Sequence, residues 1–287
     1  MIGFAKRNML IFFRDRSTVF FSFLGVFIVI ALYILFLGDI WEGDLSQQGI
    51  TNSKLLIGTW MMAGVIAIAS VTISMGAFGT MVEDRDKNIV KDFRTSPVKR
   101  RDLVAGYVLS VLIIGILMTV ITFIVALAYL MCIGYTFPSI LTILEIFGII
   151  ILSVLANSTM ILFIVSLIKT TSAFSTASAI VGTLIGFLAG VYIPVGALPS
   201  GVATIVNIFP TSHAASLLRT LMMKDITAAS FSDLPPEAIT EFNNSMGVTL
   251  NIGGVAITPF ESIFILLGYT VVFFVLAVMV LSRKNEQ

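Results

Sequence analysis

Val111-Leu-Ile-Ile-Gly-Ile-Leu-Met-Thr-Val-Ile-Thr-Phe-Ile-Val-Ala-Leu-Ala128 is a run of eighteen residues without a charge. Apolar flanks extend it from Leu103 to Met131, past the ~20 residues that a helix needs to cross a hydrocarbon core. A strand of a membrane β-barrel would alternate apolar and polar side chains over a shorter length. This run is continuously apolar, so it reads as a membrane-spanning helix.

Working outward, five further stretches satisfy the same criterion: Thr18 to Gly38, Leu55 to Met81, Ile140 to Ile168, Ala173 to Val191 and Phe260 to Leu281. The run from Leu103 is therefore the third of six spans. The chain is 57% hydrophobic and 11% charged, against roughly 25% charged residues in a soluble domain. Its mean hydropathy is +1.05. Soluble enzyme classes and intrinsic disorder are excluded on that balance. One cysteine, Cys132, excludes a disulfide framework within the chain and any multi-thiolate metal site. One histidine, His213, excludes a histidine-rich metal centre. The expected fold class is an all-α polytopic membrane protein, a single transmembrane domain over residues 1–287.

The charges give the orientation. With the N-terminus inside, 14 of the 17 basic residues fall on the inner side, and only Lys54, Arg219 and Lys224 fall outside. Lys and Arg concentrate in cytoplasmic loops, so both termini are expected in the cytoplasm. The first apolar run is too long for the h-region of a signal peptide, and Leu37-Gly38-Asp39-Ile40 has no small-x-small cleavage site. It reads as an uncleaved anchor. Before it, residues 1–17 mix basic positions with Phe4 and the run Met9 to Phe13. That mixture suits an amphipathic helix lying in the inner interface.

Seven basic residues lie between Arg85 and Arg101, in the inner loop at 82–102. Val82, Ile89, Val90 and Phe93 share one helical face there. Span two is thus expected to continue as an amphipathic helix, with Ser96 as an N-cap and Pro97 in the first turn of the helix that becomes span three. An apolar stripe flanked by charges suits docking in a groove of a soluble partner; a solvated charge run that only enforces topology is the alternative. On the other side, Pro194, Pro199 and Pro210 break the chain after span five. Broken backbone near a bilayer is tolerated only where protein or water satisfies it, so residues 192–258 are expected to hold short re-entrant helices and an outer loop. Residues from Ala214 to Met223 read as an amphipathic helix, and Phe231 to Gly247 as a polar surface excursion.

These two segments carry a resemblance. Glu83-x-Arg85 followed by Thr95-Ser96-Pro97-Val98-Lys99-Arg100-Arg101-Asp102-Leu103 resembles the inner loop of ABC type-2 exporter permeases. Gly190-x-x-x-Pro194-x-x-x-Leu198-Pro199, then Asn207-x-x-Pro210 and Arg219, resembles their outer segment. The six-span layout is similar too. Asn88-Ile89-Val90-Lys91 departs from the glycine-containing run often found after the Glu-Arg pair in that family.

The resemblance implies a permease subunit that moves an amphiphilic substrate outward: a drug, a hydrophobic or antimicrobial peptide, or a lipid. It implies two copies of an ATP-binding subunit and a second permease, identical or homologous, in a cell membrane, bacterial in character. ATP and magnesium would be bound by the partner, with no cofactor on this chain. Residues Glu83, Arg85, Asp86, Asn88, Val90, Phe93, Arg94 and Pro97 would form the ATPase-coupling element. Gly190, Pro194, Leu198, Pro199, Pro210 and Arg219 would form the outer gate. Polysaccharide and teichoic-acid exporters of the family share this layout. No Gly-x-x-x-x-Gly-Lys-Ser/Thr occurs in the chain, so no phosphate cradle of that type is encoded.

Other residues are weighed against plainer roles. Ser178, Gly182, Gly186 and Gly190 recur at spacing four in span five, a ladder that lets helices approach closely in lipid. Glu145, near the outer end of span four, suits a headgroup contact better than proton coupling. His213 follows Thr211 and Ser212, which are expected to cap a helix. An ion-coupled carrier would show broken helices in both halves, and only the region near span five is broken here. A sensor or scaffold that binds a soluble partner without moving anything is the remaining class. No feature points to nucleic acid.

Overall fold

A carboxylate starts the first span. In the computed structural model, which describes residues 1–47, 49–89 and 100–283 (backbone alone at 37, 100 and 283), Asp15 separates α1 (Ile2–Arg14) from α2 (Arg16–Leu32). Its Oδ1 accepts from the backbone N–H of Ser17 and Thr18 at 3.0 and 3.2 Å. These are donors that the first turn of a helix leaves without partners. The Thr18 hydroxyl, which donates to Oδ2 at 2.6 Å, and then these N–H bonds hold the Asp15 carboxyl below the usual carboxylate range. α1 buries Ala5, Asn8 and Phe12 on one face and exposes Ile2, Leu10, Ile11 and Phe13 on others. The expected amphipathic helix is present.

α2 runs into a single π-helical turn, Tyr33–Leu37, and then α3 (Gly38–Gln47). Neither was legible in the sequence. α4 (Ser53–Asp86) is the hub. Its 34 residues are about 50 Å long at 1.5 Å per residue, well beyond the ~30 Å hydrocarbon core. Buried residues follow one another almost without a gap from Leu56 to Ser74, because its side chains are small or apolar on every side. Its most apolar stretch is 94% buried, against 22% for α2 and 11% each for the fifth and sixth spans. α2, α3 and the later helices Arg100–Cys132, Ile140–Leu167, Thr171–Leu188 and Pro210–Ser230 all pack on it.

The remaining spans are α5 (Arg100–Cys132), α6 (Ile140–Leu167), α7 (Thr171–Leu188) and α11 (Pro259–Arg283). Ser139 caps α6 through the N–H of Thr142, and Thr170 caps α7 through that of Ala173. With α2 and α4 these make, among the described residues, six helices long and apolar enough to cross a membrane, as expected. The Ser96 cap, Pro97 and the far part of the amphipathic stripe lie outside the described residues.

The prolines after span five shape a chain of short helices. Pro194 precedes a 3-10 turn, Val195–Ala197, and Pro199 stands at the N-cap of α8 (Ser200–Ile208). Pro210 opens α9 (Pro210–Ser230), where its missing N–H costs nothing. α10 (Pro236–Ser245) and a hairpin of β1 (Asn251–Ile252) with antiparallel β2 (Val255–Ala256) lead into α11. Two expectations are corrected. The stretch from Phe231 to Gly247 is not simply a surface excursion: Phe231, Phe242 and Met246 are buried, with the Phe231 and Phe242 rings 5.1 Å apart. Thr211 and Ser212 do not cap α9, whose N-cap is Phe209. The Thr211 hydroxyl donates to Asn157 and that of Ser212 to the Leu188 carbonyl. Both reach across to other helices because their own helix is buried.

Candidate functional site

Three places carry the chemistry: a clamp at the basic end, a clamp at the opposite end, and a groove between them. At the basic end Asp84 is 3% exposed on α4. Arg7 of α1 meets it with both guanidinium branches, Nη1 to Oδ2 at 2.6 Å and Nη2 to Oδ1 at 3.0 Å. Tyr107 of α5 donates its hydroxyl to Oδ2 at 2.6 Å. A bidentate pair with a third donor is the arrangement that makes a buried carboxylate tolerable. It joins α1, α4 and α5. Bonding to Asp84 also raises the Arg7 guanidinium above its ordinary value.

One residue further, α4 reaches two more helices. Arg85 Nη1 donates to the Ile168 and Val165 carbonyls at 2.6 and 3.2 Å. These belong to the C-terminus of α6, where a cation also meets the negative end of the helix dipole. Asp86 Oδ2 accepts from the backbone N–H of Thr171 at 3.1 Å and from its hydroxyl at 2.6 Å, at the N-terminus of α7. Glu83 pairs with Lys87 one turn on, and Asn88 has a left-handed φ of 59°. So Glu83, Arg85, Asp86 and Asn88 lie together at the end of α4, with Arg85 and Asp86 turned toward neighbouring helices of the same chain. Val90, Phe93, Arg94 and Pro97 lie outside the described residues.

At the opposite end Arg219 of α9 is 1% exposed. Among the described residues its partners are backbone carbonyls: Gly190 at 2.8 Å, Gly247 at 3.2 Å, and Ala189 and Trp60 at 3.5 Å each. Its guanidinium carbon sits 4.5 Å from the centroid of the Trp60 ring, a cation–π contact. The Trp60 indole N–H donates to Met246 O at 2.6 Å. Gly190 ends α7 with φ 58°, the left-handed turn that glycine adopts freely; this turns its carbonyl to Arg219. Gly64 on α4 leaves room for Val191 and for the guanidinium, and a Cβ there would collide with Val191. Asn207, which opens the Asn207-x-x-Pro210 part of the outer motif, donates to Asn251 O at 2.8 Å and fastens α8 to the hairpin. Gly190, Pro194, Pro199, Pro210 and Arg219 thus lie in one connected region, with Leu198 in the turn before α8.

Between the ends, uncharged groups cross the helix interfaces. Asn157 of α6 donates to Ser70 at 2.7 Å and accepts from Thr211 at 2.9 Å. Ser70 and Ser74 of α4 lie 2.9 and 2.8 Å from Ser153 and Ser158 of α6. His213 Nδ1 lies 3.1 Å from Ser262 Oγ of α11.

A groove of about 1120 Å³ opens between α2 and α7, floored by α4. Phe21, Phe36, Phe174 and Phe187 give it aromatic surface; Thr72 and Ser175 give it hydroxyls. The span-five ladder divides here. A Cβ at Gly186 would overlap the Tyr192 ring, so this glycine serves a contact within the chain. A Cβ at Gly182 would meet nothing within 4 Å, and Ser178 and Gly182 line the groove. Glu145 is exposed near the start of α6.

Sequence reasoning missed the Arg7–Asp84–Tyr107 clamp and the role of Trp60. The signal existed: Asp84 follows Met81 by three residues and so falls on the stripe that α4 buries. Arg219 likewise interrupts the stripe of Ala215, Leu218 and Met222.

Six long apolar helices among the described residues, one of them a buried hub, define a polytopic membrane protein, and those residues hold no cluster of metal-ligating side chains. Residues 44–279 match the family model described as ABC-2 family transporter protein, and the chain belongs to that family. It is therefore an ABC permease subunit, and membership implies association with an ABC ATP-binding subunit. No curated protein matches the chain.

Proposed function

We propose that this permease exports an amphiphilic substrate, a drug, a hydrophobic peptide or a lipid, from the cytoplasmic side outward. Two copies of the ATP-binding subunit drive it, with ATP and magnesium bound there, and a second permease faces this one in a plasma membrane. The groove between α2 and α7 is the observation that carries the reading. It is open to the side, mostly apolar, and edged by hydroxyls and aromatic faces, the lining that suits a molecule with one greasy and one polar part. The spans beside it are among the least buried, which leaves them available to a second permease.

The end of α4 supplies the coupling. Force delivered to the loop at 82–102 reaches α1 and α5 through the Asp84 clamp, and α6 and α7 through Arg85 and Asp86. Nucleotide-driven closure of the ATPases then moves these helix ends together, which is a two-state element biased by a ligand. Arg219 and the short helices around Pro194, Pro199 and Pro210 form the outer gate.

The test is ATPase stimulation of the reconstituted complex by a panel of peptides, drugs, glycolipids and polysaccharide fragments. Stimulation by amphiphiles, lost on Thr72→Trp in the groove floor, is expected. Stimulation by soluble saccharides alone overturns the substrate class. Phe93→Asp and Arg94→Glu are expected to uncouple hydrolysis from transport while insertion is retained; normal transport by both overturns the coupling assignment.

A further inference from the structure

A second groove lies on another side of the molecule, between α5 and α11, with α6 at its back. Its volume is about 570 Å³. Val104, Val108, Leu112, Phe274, Val278 and Leu281 line it, and Arg101 stands at its mouth. It shares no span with the groove assigned to transport. We propose that it holds an anionic phospholipid of the inner leaflet, with the headgroup at Arg101 and an acyl chain along the apolar wall. The choice of leaflet rests on the orientation given above; the binding itself does not rest on the transport assignment.

Three observations fit that occupant. The first is length. From Arg101 to Leu112 the α5 wall rises roughly 16 Å, close to half of the ~30 Å core. An acyl chain of one leaflet matches that depth. The second is level. Met1, at the start of the amphipathic α1, borders the same mouth, and α1 exposes Ile2, Leu10, Ile11 and Phe13 as an interfacial helix does. The mouth therefore sits where headgroups sit. The third is charge. Arg101 is exposed and makes no hydrogen bond or ion pair with a described residue. Asp102, its neighbour on α5, is turned about 100° away around the helix. Basic pockets between spans on the cytoplasmic side take anionic headgroups. Phosphatidylcholine, with no net charge, gains little from a lone guanidinium, whereas phosphatidylglycerol gains a direct partner.

The experiment uses the purified full-length permease in detergent, with equimolar phosphatidylglycerol and phosphatidylcholine of the same chains, read by native mass spectrometry. The wild type is expected to retain phosphatidylglycerol in preference. Arg101→Gln should weaken that retention roughly fivefold, as one interfacial cation does. Ala105→Trp and Val278→Trp, which fill the slot from opposite walls, should each reduce bound lipid while Arg101 is intact. Ile124→Trp, farther along α5 and outside the groove, is the control and should change nothing. Equal retention of the two lipids by the wild type overturns the proposal. So does loss on Arg101→Gln with no effect of either groove-filling variant, because an arginine that merely reaches the surface would give that pattern.

Discussion

The two ends of α4 hold their neighbours by opposite means. At the basic end, cation and anion are both supplied by side chains, Arg7 on Asp84, and the carboxylate is saturated by Tyr107. At the other end Arg219 is buried without a carboxylate among its described partners; four carbonyls and an indole ring share the charge. The difference follows from what must be joined. Where helices cross, most backbone groups are already bonded within each helix, so the Asp84 tie runs through side chains; Arg85 finds carbonyls at the C-terminus of α6. The broken segment around Gly190 and Gly247 has spare carbonyls, and an arginine fork gathers several at once. Parting the ion pair leaves a buried carboxylate with Tyr107 as its remaining donor among the described residues, whereas carbonyl bonds can be exchanged singly for water. That contrast suits a rigid transducer at one end and a gate at the other.

The largest expected effect lies at the gate. Arg219→Met keeps length and apolar stem but removes every donor. Two of the carbonyls are bonded closely, at 2.8 and 3.2 Å, and an orphaned buried acceptor costs roughly 1–3 kcal/mol. Unfolding in mixed detergent micelles should show a loss of about 2–6 kcal/mol from those two acceptors together. Arg219→Lys, a single point donor, should recover only part of it. Full stability of the methionine variant would mean that the carbonyls find other partners and that the comparison between the ends is false.

A smaller loss is expected at the basic end, because Arg7 is partly exposed and can turn to water when its partner goes. Asp84→Asn keeps shape and a contact with Tyr107 while removing the charge, and should cost about 1–3 kcal/mol. The discriminating measurement is the double-mutant cycle with Arg7→Met. A coupling near zero would show that the pair does not hold α1 to α4. Uncoupled ATP hydrolysis in Asp84→Asn, with assembly retained, is the functional counterpart.

Arg85→Gln should cost less again, about 0.5–1 kcal/mol, the usual value of a cation at a helix C-terminus. If transport falls while stability changes by no more than this, Arg85 acts through its tie to α6. If the ATPase no longer co-purifies, the residue contacts the partner instead.

The six spans were legible because lipid demands long apolar runs, and the breaks were legible because proline cannot donate a hydrogen bond. What stayed hidden depends on pairing across distance. Asp84 is one of several acids in a charged stretch, and only the burial of its stripe separates it from Glu83 and Asp86. Its partner Arg7 lies 77 residues away, at a position where a basic interfacial helix already explains an arginine. Trp60 is one more apolar residue until Arg219 is laid against its face. The π turn at Tyr33–Leu37 breaks no hydrophobic pattern, so nothing in the sequence marks it. The glycine ladder was read as one feature because spacing cannot tell which neighbour a helix face meets.

That ladder gives the smallest expected change in stability and a sharp contrast with the clamped ends. Gly186 lies against the Tyr192 ring, so Gly186→Leu must displace it and disturb the turn that carries Gly190 to Arg219. Gly182 faces open space in the single chain, so Gly182→Leu should change its unfolding by no more than about 0.5 kcal/mol, as surface substitutions do. If the side of α7 at Gly182 meets a second permease, the same leucine should block assembly. Cysteine at 182 in a Cys132→Ser background should then crosslink between chains, and cysteine at 186 should not. Crosslinking at 186 would mean that the Tyr192 contact yields on assembly. Absence of crosslinks at 182 in an assembled, transporting complex would leave this side of α7 to lipid or substrate and move the permease contact elsewhere.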